Sequence, residues 1–526
     1  MLKLLPARAG YLVVVLGLIL GVVGLPHPSS AAVHIANLPL NFVGEPVITG
    51  KFIFDQPTAV TWAADGRMFI AQKEGTVKVW QNGVILPDYF IDLKTEVSNS
   101  SDRGLLAIEL DPQFLGSRPY MYLYYVHDPV GVTPDPNEGA RVSRLVRITA
   151  DVNQNRNVGI PGSELVLLGK NSTLANIGNP TSYTDNAHPS CQVGGLTGDY
   201  VADCIPSDSN THAGAGLKFA PDGSLFVSIG DGGGFGGVDP RALRSQNLES
   251  LAGKLLRVDP DTGNGLPSNP FYNGDLSSTR SKIYSYGMRN PFRFALKIDT
   301  SDASEPYKPY VGDVGDGTWE EINTGRGANF GWPCYEGGNG ESLEQPFYQS
   351  DPSTTVQCNA LNKNAVKPSA FGYLHYVPIG AGTGTIPQGS VQAGAFFSGT
   401  AYPAEYQNAL FITDYVHDWV RYLKLDALGN VTSVFTFATD ISPKGGPVQL
   451  SQGPDGNLYY LAYDWDGDSG VYRIRYTAGG NNPPTARAQA DKVYGALPLA
   501  VNFTGSGSTD PDGQALSYLS IPSSTN

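Results

Sequence analysis

His212 lies in the stretch of this sequence that is richest in possible chemistry. It belongs to the run Asn210-Thr211-His212-Ala213-Gly214, and the chain continues through apolar residues to Ile229-Gly230-Asp231-Gly232. An imidazole titrates near neutral pH, so it can take a proton from a hydroxyl while a hydride leaves the same carbon. A histidine beside glycines also commonly serves only as a hydrogen-bonding residue of a loop. This stretch alone leaves both interpretations open.

Two later segments combine charged residues with turn-forming glycines. Residues 283–293 contain Arg289-Asn290-Pro291, and residues 311–323 contain Asp313, Gly315-Asp316 and Glu320-Glu321. The permanent charge of an arginine can stabilise an anion, and oxygen ligands from carboxylates and carbonyls suit calcium. Acidic turns also hydrogen-bond their own backbone without any ion, and the arginine is equally consistent with a buried salt bridge. These alternatives stay open at this point.

Short apolar runs that follow turns predict the elements that position these residues. With 63 Gly, 39 Pro and 28 Tyr but only 4 Met, the composition favours many short strands over helices. An Asp-Gly turn ahead of an apolar run predicts a hairpin that feeds an inner strand of a sheet. Three clear and three degenerate copies occur: Asp65–Ile70, Pro221–Val227, Pro454–Tyr460, Tyr120–Val126, Tyr307–Val311 and Asn408–Thr413.

Six such units are more than a β-sandwich accommodates. They predict an all-β protein that folds as a six-bladed β-propeller, with the blades arranged around an axis. Later runs are expected to form the middle strands of blades: Thr76–Trp80, Leu255–Val258 and Val420–Leu425. In a propeller, a histidine just before a glycine-rich strand lies at the inner edge of a blade, where the axial pocket opens. This position makes His212 the first candidate for a base.

The N-terminus predicts export from the cytoplasm. Lys3 and Arg8 precede an apolar run from Tyr11 to Leu25, and small residues follow at Ser30-Ala31-Ala32, so residues 1–32 are expected to be a signal peptide. A membrane anchor is the less favoured alternative, because this run is short for a bilayer span. We therefore expect a secreted protein, extracellular or periplasmic, without a membrane span after cleavage of the signal peptide.

The four cysteines fit such a compartment. Two local disulfides are expected, Cys191 with Cys204 and Cys334 with Cys358, since each pair brackets one short loop. A four-thiolate metal site is disfavoured because no C-x-x-C spacing occurs. The net charge of −14 argues against nucleic acid as a partner and is compatible with calcium binding.

The composition changes near the C-terminus. Gly479-Gly480-Asn481-Asn482-Pro483-Pro484 reads as a linker, so the propeller is predicted to span residues 33–478. Residues 479–526 then resemble the linker and first half of a PKD domain, an immunoglobulin-like β-sandwich that is incomplete here.

Four motifs in one order carry a family resemblance. They are H-x-G-x-G-L from His212, G-x-R-N-P ending at Pro291, G-D-V-G-x-x-x-x-E-E-I-N from Gly312, and N-F-G-W-P from Asn329. This order resembles the soluble quinoprotein glucose/sorbosone dehydrogenases over about residues 40 to 477. The resemblance implies oxidation of an aldose or related sugar with pyrroloquinoline quinone and calcium, and transfer of the electrons to an external acceptor.

The resemblance also implies roles for individual residues. His212 would be the general base, Arg289 and Asn290 would lie beside the quinone, and Asp231 would belong to the pocket wall. Backbone oxygens of Gly315 and Asp316 would bind the calcium that polarises the quinone. Glu320 and Glu321 match the place of a second, structural calcium in the family.

The chain departs from the pattern of the well-characterised glucose dehydrogenases in several places. Asp102 stands where they have a glutamine, and their late Lys and Arg-x-Arg fall near His417 and Pro447 here. Lys444 and Arg421 are the nearest cations in sequence that could bind the carboxylates of the cofactor.

The D-R-G-L, Y-G-M-R-N-P and G-D-V-G signatures are shared with hedgehog-interacting-protein-like proteins, a sibling branch. That branch implies an alternative function, a non-catalytic extracellular propeller that binds a protein or a glycan. A metal-dependent lactone hydrolase is a third and less favoured possibility.

Overall fold

Six antiparallel sheets of four or five strands form the blades of a β-propeller. The computed structural model describes residues 37–50, 52–132, 139–338, 341–375, 389–442, 445–464, 469–477, 489–491 and 501–506, together with positions 508 and 516. Strands are numbered β1–β32 in chain order. The predicted all-β, six-bladed propeller is confirmed.

The first three blades follow one another along the chain, and only blade 2 includes a strand that is not consecutive with the others. Blade 1 comprises β2 Pro57–Trp62, β3 Met68–Gln72, β4 Thr76–Gln81, β5 Val84–Ile85 and β6 Ile91–Asp92. Blade 2 comprises β7 Leu105–Leu110, β8 Tyr120–His127, β9 Arg141–Thr149, β10 Leu165–Leu168 and the later β13 Ile205–Ser207, which pairs with β9. Blade 3 comprises β14 Gly216–Phe219, β15 Leu225–Ile229, β16 Lys254–Val258 and β17 Ile283–Tyr286.

The last three blades close the ring. Blade 4 comprises β18 Pro291–Ile298, β19 Tyr307–Asp313, β20 Trp319–Asn323 and β23 Phe371–Leu374. Blade 5 comprises β24 Val391–Phe396, β25 Leu410–Asp414, β26 Trp419–Leu425 and β27 Val431–Thr439. Blade 6 comprises β28 Gly445–Gln452, β29 Leu458–Asp464 and β30 Gly470–Tyr476, and its outer strand is the N-terminal β1 Phe42–Ile48. Pairing of β1 with β30 therefore joins the two ends of the propeller.

Short elements lie in the connections. Three two-stranded ladders pair β11 Gln192–Val193 with β12 Asp199–Tyr200, β21 Tyr335–Glu336 with β22 Leu343–Glu344, and β31 Gln489–Ala490 with β32 Phe503–Thr504. The helices in the described ranges are Thr279–Lys282, Pro346–Ser350 and Thr355–Ala360, and the 3₁₀ turns are Val152–Gln154, Leu174–Asn176, Pro240–Gln246, Lys363–Ala365 and Ala404–Tyr406. None of the described helices has the length and apolar character needed to cross a bilayer.

The six repeated runs of the sequence fall on the second strands of the six blades. Asp65–Ile70 leads into β3, for example, and Pro221–Val227 leads into β15. These runs are interior strands of their sheets, as predicted, and the strand before each run lies nearest the axis and contacts the equivalent strands of neighbouring blades. The second strand β15 is buried along its whole length because a neighbouring blade covers each face, whereas the innermost strand β14 of the same blade includes Gly and is only partly buried.

Apolar side chains fill the spaces between blades. Phe69 and Val79 of blade 1 pack against Leu123 and Ile148 of blade 2, and all four are buried. Equivalent clusters lie between the other blades, so the core is divided into layers around the axis.

Polar side chains join the innermost strands near the axis. The guanidinium of Arg293 on β18 donates to the carbonyls of Thr58 at 2.7 Å and Leu106 at 3.1 Å, and also to the carbonyl of Ala215. One side chain of blade 4 therefore binds backbone oxygens that belong to, or directly precede, the first strands of blades 1, 2 and 3. Burial lowers the pKa of Arg293 to about 9, which leaves it protonated at neutral pH.

Both expected disulfides are present. Cys191 and Cys204 close a loop that contains β11 and β12, and Cys334, directly before β21, is joined to Cys358 in the helix Thr355–Ala360. The predicted signal peptide lies outside the described residues, as does most of residues 479–526, in which β31 and β32 are the described elements. The signal peptide, the domain boundaries and the PKD-like segment stay predictions.

Replacement of Arg293 by Met is expected to lower the stability of the propeller. The variant leaves three buried carbonyls without their donor, and unsatisfied buried groups cost about 1 to 3 kcal/mol each, so a loss of about 3 to 5 kcal/mol is expected. The shift of the urea unfolding midpoint at pH 7 measures this loss. Arg326→Met is the matched control, because Arg326 is exposed and donates to a single carbonyl, that of Ser268, among the described residues. Equal midpoints for the two variants would contradict a structural role for Arg293.

Candidate active site

A cavity of about 460 Å³ lies on the axis, at the end where the innermost strands begin. Two kinds of position supply most of its wall: residues at or just before the start of the first strand of a blade, and residues that follow the second strand. The charged and histidine side chains among its lining residues are Lys73, Asp102, His212, Arg289, Asp316 and His375. Gly315 and Asn290 also contribute to the wall. The structure thus brings together residues that lie far apart in sequence.

His212 is held by a buried carboxylate. Its Nδ1 lies 2.9 Å from Oδ1 of Asp231, and the two residues are 3% and 0% exposed. Asp231 also accepts hydrogen bonds from the backbone N–H of Gly233 at 2.7 Å and from Nε1 of Trp332 at 2.7 Å. Within the described part of the chain, Nε2 of His212 has no hydrogen-bond partner. Because Asp231 occupies Nδ1, the other ring nitrogen remains available for chemistry.

The backbone around His212 explains this arrangement. The φ of His212 is +52°, in the left-handed region, and its carbonyl accepts from the N–H of Gly232 at 3.1 Å. A Cβ on Gly230 would lie 2.0 Å from that carbonyl oxygen, so only glycine allows the two segments to approach so closely. The glycines of the sequence motif therefore bring Asp231 against the imidazole.

The charge of Asp231 is maintained despite its burial. Burial by itself raises the pKa of a carboxyl group, but His212, Arg289 and the N–H of Gly233 together hold the pKa of Asp231 below its ordinary value. The carboxylate is consequently ionised at neutral pH. An ionised partner at Nδ1 favours the tautomer in which Nε2 carries a lone pair.

Arg289 and Asn290 connect blade 4 to the histidine. Oδ1 of Asn290 accepts from the N–H of Gly214 at 3.1 Å, and the carbonyl of Arg289 accepts from the N–H of Asp231 at 2.7 Å. The guanidinium of Arg289 donates to Asp316 at 3.3 Å and lies 5.4 Å from the ring centre of Trp332. Its Nε has no partner in the residues that the structure covers.

The turn at Gly315-Asp316 forms the adjacent wall. The N–H of Asp316 donates to Oε1 of Glu336, and Oδ2 of Asp316 accepts from Gln345 at 3.0 Å. A Cβ on Gly315 would lie 1.7 Å from the carbonyl oxygen of Trp319, so the turn requires glycine there. Burial and the nearby carboxylates of Glu321 and Asp316 raise the pKa of Glu336 well above its ordinary value. A hydrogen bond to the buried carboxyl group of Glu336 therefore stabilises the turn.

Glu320 and Glu321 have separate partners. Glu320 accepts from Val391 N at 2.8 Å, and its Oε1 lies 2.8 Å from Nε2 of His375. Glu321 accepts from Asn323 at 2.8 Å and from the N–H of Gly337. The two carboxylates point to opposite faces of β20 because side chains alternate along a strand. The structure does not bring them to one point, and the described residues contain no group of three His, Cys, Asp or Glu side chains arranged around a metal position.

The three remaining residues that the sequence offered as cofactor contacts lie in different places. Asp102 is exposed on the rim of the cavity, where its N–H donates to the carbonyl of Asn210 at 3.0 Å. Lys444 lies outside the described residues. Arg421 is buried away from the cavity, with its guanidinium 4.3 Å from the ring centre of Trp419.

The sequence analysis missed several lining residues. Lys73 and Tyr415 follow the second strands of blades 1 and 5, the same position that places Asp316 after β19 in blade 4, and Tyr463 lies near the end of β29 in blade 6. This equivalence is a signal that alignment of the six repeats could have provided. His375 follows the last strand of blade 4, and no repeated pattern marks it.

The arrangement supports proton abstraction beside a fixed positive charge. His212 offers a buried imidazole with one free nitrogen and an ionised partner, and the carboxylate of Asp231 stabilises the imidazolium that forms. Arg289 supplies a permanent cation on the same wall, where a developing negative charge would be stabilised.

Comparison with known proteins gives one family. The sequence matches the model of the glucose/sorbosone dehydrogenase family over residues 54–160 and 200–473. The HIPL2 protein of Arabidopsis thaliana is 30% identical over 294 residues, which is 51% of this chain and 39% of that relative. The chain therefore spans well under half the length of this curated relative.

Solved structures show the same fold. The soluble aldose sugar dehydrogenase of Escherichia coli, in its apo form, has a TM-score of 0.54 and 20% identity, over 83% of this chain and 99% of that one. The PQQ-bound form of the aldose sugar dehydrogenase of Streptomyces coelicolor has a TM-score of 0.52 and 18% identity, with the same coverage of both chains. At these identities the similarity establishes the architecture alone.

Asp231→Asn is expected to destabilise the folded protein in a pH-dependent manner. The substitution removes charged hydrogen bonds at a buried site, for a loss of about 2 to 3 kcal/mol at pH 7. Because the pKa of Asp231 is depressed in the folded state, its stabilising effect is complete above the unfolded value of about 3.9. The effect then fades as the pH falls further, through the folded pKa.

Urea unfolding of wild type and variant between pH 7 and pH 3 measures this difference. Asp88→Asn is the control, because Asp88 is exposed and its change is expected to stay within about 0.5 kcal/mol. A difference between wild type and Asp231→Asn that grows at low pH would contradict the assignment of Asp231 as an ionised partner.

Proposed function

The chain belongs to the glucose/sorbosone dehydrogenase family, and we propose that it oxidises an aldose or related sugar with pyrroloquinoline quinone and calcium. The observation that carries this proposal is the arrangement of His212, which lines the axial cavity, pairs through Nδ1 with the buried, ionised Asp231 and has no hydrogen-bond partner at Nε2 among the described residues. An external electron acceptor would then reoxidise the cofactor. The sugar is the substrate, and neither a nucleic-acid partner nor a membrane span after cleavage of the signal peptide is part of the proposal.

The residues of the cavity fit such a cofactor. Nε2 of His212 and Nε of Arg289 are buried polar atoms without a partner in the described part of the chain, and Lys73 adds a second cation to the wall. Arg289, Asn290 and Lys73 would hold the cofactor, with Asp102 at the rim, and the backbone oxygens of Gly315 and Asp316 would contribute to a calcium site. When bound, the quinone would supply an electrophilic carbonyl that accepts a hydride, and calcium would polarise it.

His212 would act as the general base of the reaction. Its Nδ1–H donates to Asp231, so the lone pair of Nε2 accepts the proton of the sugar hydroxyl as the hydride leaves the same carbon. The sugar thereby loses two electrons and two hydrogens and becomes a lactone. Asp231 stabilises the resulting imidazolium. The positive charge of Arg289 would stabilise the negative charge of the reduced cofactor.

Features outside the cavity support the proposal that the protein functions in an oxidising compartment. The predicted signal peptide at residues 1–32 and the two disulfides favour a secreted protein, extracellular or periplasmic. The PKD-like segment would act as a spacer or a carbohydrate-associated accessory.

His212→Ala is expected to lower sugar oxidation by about 100-fold or more, because a general base contributes about two to four orders of magnitude. Purified protein loaded with pyrroloquinoline quinone and calcium is assayed for sugar-dependent reduction of a dye. Retention of the cofactor, measured in parallel, should be nearly unchanged. His188→Ala is the control, since the side chain of His188 is 75% exposed and lies outside the cavity. Unchanged activity of His212→Ala would eliminate the proposed role.

A second candidate function is a non-catalytic extracellular propeller that binds a protein or a glycan. The replacement of the expected glutamine by Asp102 and the signatures shared with hedgehog-interacting-protein-like proteins favour it. Equilibrium dialysis with pyrroloquinoline quinone and calcium separates the two. Binding of the quinone with turnover of a sugar supports the dehydrogenase, and absence of quinone binding supports the second candidate.

A further inference from the structure

Lys73 occupies a defined place in the wall of the cavity. It lies in the turn between β3 and β4, its N–H donates to the carbonyl of Gln56 at 2.9 Å, and its carbonyl accepts from Leu105 N at 3.0 Å. Gln56 precedes the first strand of blade 1, and Leu105 begins the first strand of blade 2. The backbone of Lys73 is thus anchored to the two segments that flank it at the inner edge.

Gly104 positions the side chain of Lys73. Its φ is +148°, and a Cβ at this position would lie 2.5 Å from Cγ of Lys73 and 2.7 Å from its carbonyl oxygen. The absence of a side chain at Gly104 therefore leaves room for the aliphatic part of Lys73 between the first two blades. The lysine is partly buried along this path and lines the cavity.

The ammonium group of Lys73 lacks a partner within the described residues. The neighbouring lysines each have one: Nζ of Lys78 donates to the carbonyl of Ile53 at 2.6 Å, and Nζ of Lys94 lies 2.9 Å from Glu74. Arg289, the other cation of the cavity wall, contacts Asp316. Burial lowers the pKa of Lys73, while Asp102 and Asp55 act in the opposite direction without forming an ion pair with it.

A partly buried cation without a partner is unfavourable for the folded protein by itself. Such groups are commonly retained where a ligand supplies the missing charge. The wall of the cavity supplies two cations, and one of them already contacts a carboxylate. An anion that enters the cavity would therefore find its unneutralised positive charge at Lys73.

We propose that Lys73 binds a carboxylate of the quinone cofactor and replaces the late basic residues that this chain lacks. The inference rests on the proposed function, because the carboxylate belongs to pyrroloquinoline quinone. In this proposal, the cation that binds the carboxylate belongs to blade 1. The late basic residues that this chain lacks would lie in blades 5 and 6. Arg421, which is buried beside Trp419, takes no part in this binding.

Cofactor binding by the full chain tests the proposal without any need for turnover. Quenching of tryptophan fluorescence by pyrroloquinoline quinone, at saturating calcium and low ionic strength, gives the dissociation constant. Lys73→Met should weaken binding by about 10- to 100-fold, the range of a hydrogen bond to a charged group. Lys73→Arg should stay within about threefold of wild type, because the charge is kept.

Two comparisons separate a binding role from a structural one. Lys94→Met removes a charge from the same blade outside the cavity and should leave the dissociation constant within about twofold. The loss caused by Lys73→Met should shrink as salt is raised, since screening weakens a partly exposed ion pair. The melting temperature of cofactor-free Lys73→Met should equal or exceed that of wild type, because an unpaired charge has been removed.

The outcomes are distinguishable. If wild type binds the quinone and Lys73→Met binds equally well, the role of Lys73 is refuted and the proposed function stands. If wild type does not bind the quinone at all, the proposed function fails and this inference fails with it. Weaker binding by Lys73→Met together with a lower melting temperature, and without rescue by Lys73→Arg, would also overturn the proposal.

Discussion

The hydrogen bonds of one buried guanidinium, that of Arg293, connect the inner edges of four of the six blades. This group reaches from blade 4 to backbone oxygens at the inner edges of blades 1, 2 and 3. Thr58 and Leu106, whose carbonyls it binds, also line the axial cavity. The side chain that links the blades therefore lies directly beneath the candidate active site. A donor with several N–H groups suits this place, because strand edges at the axis expose carbonyls that no neighbouring strand satisfies.

Above Arg293, the wall of the cavity is formed by residues at equivalent positions of different blades. Blades 1 to 5 present residues before the first strand, and four of them, blades 1, 3, 4 and 5, also present residues after the second strand. Blade 6 contributes Val448 and Tyr463 from within its first two strands. The functional set is therefore spread over the chain, with His212 before blade 3, Arg289 before blade 4 and Lys73 after the second strand of blade 1. Because rigid strands flank each of these positions, the side chains are held without long ordered loops.

Buried carboxylates set the electrostatics of the wall. Asp231 stays ionised because His212 and Arg289 compensate its burial, whereas burial and nearby carboxylates raise the pKa of Glu336 beneath the turn at Gly315. One acid thus serves as a charged partner for the imidazole, and the other supports the turn through a hydrogen bond to Asp316 N. The difference between the two acids follows from their neighbours, since burial acts on both in the same direction.

The sequence by itself indicated the number of blades and the family, and it predicted several residues that line the cavity. Six apolar runs after turns indicated six blades, because a neighbouring blade covers each face of a second strand, which is therefore mostly apolar. His212 was singled out because a histidine just before a glycine-rich strand lies at the inner edge of a blade, and Arg289, Asn290 and Gly315 followed from the family resemblance that their motifs carry. Both disulfides followed from cysteines that bracket one loop each.

Only the tertiary structure decided which residues share the cavity and which do not. Glu320 and Glu321 are adjacent in sequence but point to opposite faces of β20, and Arg421 is buried away from the axis. Lys73 lies 139 positions before His212 and reaches the same cavity because closure of the ring brings equivalent turns of different blades to one axis. Sequence patterns report local periodicity, whereas the position of a turn relative to the axis depends on how all six blades close around it.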